Sequence, residues 1–148
     1  MLKLPPPVWA LAYVLIAAGL SYLAGWPRIA GLPLVTLAIV LIVLGIVLSA
    51  SGAALFLREG TQLNPTSTAN RKLVTSGPFK LTRNPMYLGL VIVTLGVAIW
   101  VGAWPMFLAP VAIFATTNWV HIPFEEAKMR RQFGEAFDAY ARKVRRWI

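Results

Sequence analysis

Residues 83–125 read RNPMYLGLVIVTLGVAIWVGAWPMFLAPVAIFATTNWVHIPFE, and no Asp, Glu, Lys or Arg occurs between Arg83 and Glu125. A helix needs roughly 20 apolar residues to cross the hydrocarbon core of a bilayer, so this run has room for two crossings. Trp100-Val101-Gly102-Ala103-Trp104-Pro105 interrupts it with helix breakers and paired tryptophans, which favour the headgroup layer. The stretch therefore reads as a helical hairpin with a tight turn. Upstream, the charge-free runs from Lys3 to Arg28 and from Arg28 to Arg58 fit one span each, placed at about Val8–Gly25 and Leu32–Leu57. Of the chain's 148 residues, 58% are hydrophobic and 13% charged, half the roughly 25% of a soluble domain.

The expected architecture is an all-α integral membrane protein of about four transmembrane helices, residues 1–148 forming a single domain. Four crossings put the N-terminus, the segment from Arg58 to Arg83 and the C-terminal tail on one side. Nearly all cations then share that side, from Lys3, Arg58, Arg71, Lys72, Lys80 and Arg83 to Lys128, Arg130, Arg131, Arg142, Lys143, Arg145 and Arg146. Arg28 alone lies opposite. The positive-inside rule makes the shared side cytoplasmic and places the protein in the inner membrane as a multi-pass protein. The net charge of +9 flanks membrane spans and belongs to no nucleic-acid module, so anionic lipid is its expected neighbour. No nucleic acid and no obligatory protein partner are implied. Without cysteine, neither a disulfide framework nor a thiolate metal site is available, and no metal is expected.

Residues 59–82 are polar but carry Leu63, Leu73, Val74 and Phe79, enough apolar anchors for an ordered loop. From Phe124 to Ile148, Met129, Phe133, Phe137, Tyr140, Val144 and Trp147 recur at steps of three or four residues. That stripe, with basic residues on the remaining surface, predicts an amphipathic helix lying in the membrane interface, which Gly134 either interrupts or packs closely. In the second helix, Gly45, Ser49, Ser51, Gly52 and Ala53 form a small-residue patch suited to close helix contact.

Polar groups inside membrane segments mark function or pairing, and two clusters stand at span ends. One is Arg83-Asn84-Pro85-x-Tyr87; the other is His121 with Glu125 and Glu126. A tight hairpin returns the chain to the same face, so the clusters are expected to meet. No P-loop, G-x-G-x-x-G or G-x-S-x-G is present, which removes the common nucleotide and hydrolase sites.

The order Arg83-Asn84-Pro85-Met86-Tyr87-Leu88-Gly89, hairpin, Glu125-Glu126 resembles the isoprenylcysteine carboxyl methyltransferase and phospholipid methyltransferase superfamily. Leu73-Val74-Thr75-Ser76-Gly77-Pro78-Phe79 before it, and Phe133-Gly134, Tyr140 and Val144 after it, extend the likeness from about Asn64 to the C-terminus. The resemblance implies that S-adenosylmethionine is the methyl donor, S-adenosylhomocysteine being its product, and that a lipophilic or lipid acceptor is methylated at the cytoplasmic face. Residues 59–148 would then comprise a cofactor-binding loop, the second hairpin and the C-terminal helix, behind an N-terminal hairpin of residues 1–58. By position, Asn64, Lys72, Leu73, Val74, Phe79, Asn84, Pro85, Tyr87, Glu125 and Glu126 are the implied cofactor contacts, and Arg83, His121 and Glu125 the implied catalytic group. The sequence departs from the family pattern at Asn84, where a histidine is usual, at Phe79, where a tyrosine is usual, and at His121, on or beside a substrate-orienting arginine. Other readings are a phospholipid N-methyltransferase, a membrane reductase of related architecture and a non-catalytic lipid-binding protein.

Overall fold

The computed structural model describes residues 4–59 and 72–148. Helix α1 spans Pro6–Leu23 and α2 Val35–Arg58. Prolines at the start of α1 cost nothing, because the first turn of a helix has no intrahelical use for those N–H groups. The helix ends two residues before the predicted Gly25, where Gly25 and Trp26 both take positive φ and turn the chain. Helix α3 runs Pro85–Val101 and is closed by Gly102, in the left-handed region at φ 72°, whose N–H bonds back to Ala98. A short turn at Trp104–Phe107 then leads into a rod of α4, Leu108–Thr116, a π-helical turn at Thr117–His121, and α5, Ile122–Phe133.

Residues Pro6–Leu23, Val35–Arg58 and Trp104–Phe133 are each long and apolar enough to cross a bilayer. Helix α3, of 17 residues and about 25 Å, is the shorter fourth member of the bundle. Its end meets the turn between α1 and α2: Ile29 N–H bonds to Gly102 O at 2.9 Å and Trp104 N–H to Pro27 O at 3.2 Å. Both hairpin turns thus share one end of the bundle. The start of α1, the end of α2, the start of α3 and the C-terminal segment share the other, as expected from an even number of crossings.

Of the expected small-residue patch, Gly45, Ser49 and Gly52 form an α2–α3 seam, whereas Ser51 is exposed and Ala53 lines the cavity described below. A Cβ on Gly89 would lie 2.9 Å from the Ser49 backbone nitrogen, and one on Gly96 3.0 Å from Ala38 O. Such backbone approach replaces the hydrophobic driving force that lipid surroundings remove. Ser49 adds a hydrogen bond to Met86 O at 2.9 Å. Gly89→Leu is expected to cost about 1–3 kcal/mol by overpacking, read as a lower melting temperature in detergent. Gly19→Leu, with nothing within 4 Å, should leave it unchanged. Helix α1 packs instead through Ala17 onto Ala98, Ala103, Met106 and Ala109, and Tyr13 hydrogen-bonds Thr116 at 2.7 Å.

The C-terminal expectation is met in its helical content and in its interruption at Gly134, which takes φ 50°, and is corrected in its bounds: Phe124–Phe133 completes the membrane rod and α6 covers only Glu135–Lys143. Val144 is extended, so Val144 and Trp147 leave the helical stripe that their spacing suggested. The loop expectation is met in residues 72–82, where Gly77–Lys80 forms a 3-10 turn and Phe79 is buried. Asn64 and Arg71 lie outside the described residues.

Candidate active site

Arg83 stands just before α3, and its guanidinium is committed on several sides. Nη1 donates to Ala141 O at 2.8 Å and Val144 O at 2.7 Å, carbonyls that the end of α6 leaves without intrahelical donors. Nη2 donates to Glu126 Oε1 at 2.7 Å. Glu126 also accepts from Arg146, through Nη2 at 2.8 Å and Nε at 3.2 Å, and is itself buried. The last residues form a strap over the start of α3. Arg145 O accepts from the Arg83 N–H at 3.0 Å, while Arg146 O accepts from the Asn84 amide at 2.9 Å and the Thr82 hydroxyl at 3.1 Å. Trp147 donates to Asn118 at 3.0 Å, anchoring the strap to the rod.

Behind this clamp lies a cavity of about 360 Å³, within the roughly 300–1,000 Å³ range of small-molecule sites. Its polar wall holds Glu125, Tyr87, Asn84 and Lys72, and the Tyr87 hydroxyl donates to Glu125. The rest of the lining is mainly apolar and includes Phe56 and Phe79, stacked at 5.0 Å and 2°. Leu73, Val74, Arg83 and Glu126 also line it, so the two sequence clusters do meet in one cavity. The two acidic neighbours have divided tasks. Glu126 is saturated by arginines, whereas Glu125 accepts only from Tyr87 among the described residues.

Among the described residues, two implied ones are not in the cavity wall. Pro85 starts α3 and packs toward Gly52. His121, at the end of the π-helical turn, is fully buried with both ring nitrogens unpartnered among the described residues, and its ring sits 6.1 Å from that of Tyr87. Four residues before Glu125 it shares that residue's helix face but stands about 6 Å deeper in the bundle. Thr82, Tyr140 and Arg146 were missed by sequence reasoning. The signal for Tyr140 was its match to the family pattern, and for Arg146 only its place among basic residues.

Tyr140 donates to Phe79 O at 2.7 Å, fixing the loop that carries the aromatic wall. Burial pushes its phenol up to about 12, against the opposing pull of Arg83. The neutral phenol is thus the stabilising form. Its contribution is complete below the ordinary phenol value near 10 and is lost as pH rises through about 12. Tyr140→Phe should cost about 0.5–1.5 kcal/mol, and melting curves across that alkaline window should show a steeper decline for the parent chain than for the variant.

The structure is thus a helical bundle of membrane-spanning length with a largely apolar cavity at one end, into which an Arg-Asn-Pro-x-Tyr turn and a Glu-Glu pair bring polar groups. Residues 33–136, more than two thirds of the chain, match the phospholipid methyltransferase family, and the chain belongs to it, within the isoprenylcysteine carboxyl methyltransferase-like superfamily. Membership implies a methyltransferase acting on lipid-like substrates. A Haemophilus influenzae protein described as uncharacterized is 32% identical over 63 residues, covering 43% of this chain and all of that protein. No solved structure matches.

Proposed function

We propose that the chain transfers a methyl group from S-adenosylmethionine to a lipophilic acceptor at the cytoplasmic face of the inner membrane. The observation that carries this reading is the single cavity joining Glu125, Tyr87, Asn84 and Lys72 to the Phe56–Phe79 stack. Its chemistry suits the donor: a carboxylate for cationic and hydroxyl groups and apolar aromatic surface for a purine, while the Lys72 ammonium in the lining is paired with Glu59 at 2.7 Å. When bound, S-adenosylmethionine supplies an electrophilic methyl group on a sulfonium.

The protein's own contribution is alignment and shielding. Holding two reactants in an attack geometry supplies several kcal/mol without covalent help from side chains. Tyr87 orients Glu125, and Asn84 is fixed by the strap, so the polar wall is preorganised. Arg83 acts as the clamp of that wall, its donors spent on Glu126 and the end of α6. His121 acts through its contact with Tyr87, as a positioning residue. The cytoplasmic orientation is supported by the cations gathered at the cavity end, Arg28 being the one at the far end among the described residues.

Membranes containing the protein, incubated with methyl-labelled S-adenosylmethionine and extracted, should carry label into the lipid phase in excess of membranes lacking it. Equal label in both would overturn the activity.

A further inference from the structure

The end of the bundle away from the candidate active site carries a second cavity, of about 450 Å³, between the two hairpin turns. It is lined by Trp26, Arg28 and Pro33 from the turn between α1 and α2, and by Trp100, Val101 and Ala103 around the turn between α3 and α4. The two turns are tied to each other through their backbones. Arg28 and Ala103 form an antiparallel bridge, flanked by the hydrogen bonds from Ile29 N–H to Gly102 O and from Trp104 N–H to Pro27 O. Trp26 is held in the left-handed region at φ 54°, its N–H donating to Ser21 O at 2.7 Å. A large side chain takes that conformation only where its surroundings fix it, and such strain gathers at ligand clamps. The backbone that carries Trp26 and Arg28 is thus set before any ligand arrives.

The charge of this cavity is unbalanced. Arg28 has no hydrogen bond or ion pair among the described residues. The chain's five acidic side chains, Glu59, Glu125, Glu126, Glu135 and Asp138, all belong to the opposite end, at the close of α2 and on α5 and α6. Helix α2, of 24 residues and about 36 Å, separates the two ends. That is several times the screening length of roughly 8 Å at physiological salt, so no carboxylate of the chain neutralises Arg28. Its counter-charge comes from outside. Trp26 and Trp100 are exposed, and indole rings settle at headgroup depth, where the anions are lipid phosphates. A guanidinium pairs with phosphate oxygens through two parallel donors and is less strongly hydrated than an ammonium. Directly after the lining residue Pro33, Leu34 and Val35 are exposed apolar side chains, which a lipid covers and a free phosphate leaves bare.

We propose that Arg28, between Trp26 and Trp100, binds the phosphodiester of a phospholipid in the leaflet opposite the candidate active site, a headgroup that bridges the two hairpin turns. The site is separate from the methyl-transfer cavity and does not depend on that reading.

Phosphatidylglycerol, whose phosphodiester has no headgroup cation to neutralise it, provides the test when it carries a photoreactive diazirine on the headgroup glycerol and is added to the full chain in a neutral maltoside detergent. Mass spectrometry of the irradiated protein should find saturable label within residues 26–33 and 100–104, displaced by unlabelled phosphatidylglycerol but not by the same concentration of glycerol phosphate. Arg28→Gln, a change at an exposed side chain, should lower the labelling of both turns roughly tenfold while leaving the melting temperature in lipid-free detergent unchanged. Arg142→Gln, on the basic surface of α6 at the other end, should label the turns as the parent does. Turns that take no saturable label, or that keep it in Arg28→Gln, would overturn the proposal. Displacement by glycerol phosphate as effective as that by the lipid would overturn the lipid as the source and mark a site for soluble phosphate esters.

Discussion

Glu126→Ala is expected to destabilise the folded chain by about 3–5 kcal/mol, the usual cost of removing one partner from a buried ion pair. The carboxylate faces two guanidiniums, Arg83 with a side chain only 13% exposed and Arg146 at 34%. Removing it leaves Arg83 charged and poorly solvated beside the end of α6, and frees Arg146 to leave the site. The strap carbonyls that hold Asn84 and Thr82 go with it. Glu126→Gln should fall between parent and alanine variant, since an amide keeps one acceptor but no charge. The contrast is Asp138→Asn, which breaks an ion pair with Arg130 whose side chains are 51% and 46% exposed. Water already screens that pair, and the change should stay within about 0–1 kcal/mol. Thermal denaturation in one detergent, comparing all four proteins, reads the order directly.

Glu125→Ala should act on the ligand rather than on the fold. Among the described residues its carboxylate has one hydrogen bond, from Tyr87, so its loss removes little native structure. Toward a cationic or hydroxyl-bearing cofactor group, a charge-assisted hydrogen bond contributes about 1.5–3 kcal/mol, which corresponds to roughly ten- to hundredfold in affinity. Tyr87→Phe keeps the carboxylate but releases its orientation, and a smaller loss is expected. Titration with S-adenosylhomocysteine checks both. A Glu125→Ala protein that binds as tightly as its parent, while Glu126→Ala binds tenfold less at equal folded fraction, would reverse the division of labour between the two acids.

The spans were legible because bilayer physics is coarse: cations at Lys3, Arg28, Arg58 and Arg83 bracket the apolar runs, and Gly102 with Pro105 marks the second turn. The meeting of Arg83–Tyr87 with Glu125 and Glu126 was legible too, since a tight hairpin leaves them no other face. Two features were hidden. Val144 and Trp147 sit on a helical stripe, yet Arg83 and Asn84 draw the carbonyls of residues 144–146 into tertiary bonds that compete with helix formation. Periodicity cannot register a partner some 60 residues away. His121 shares a face with Glu125, but spacing gives no depth, and one turn separates a cavity wall from a packed interior.

The central claim is that the cavity between Tyr87, Glu125 and the Phe56–Phe79 stack binds the methyl donor. Isothermal calorimetry of the purified full chain in detergent with S-adenosylhomocysteine tests it most directly. The structure predicts saturable heat at one site per chain and a matching rise in melting temperature. Neither heat nor thermal shift at millimolar ligand, in a protein that melts cooperatively, would contradict it.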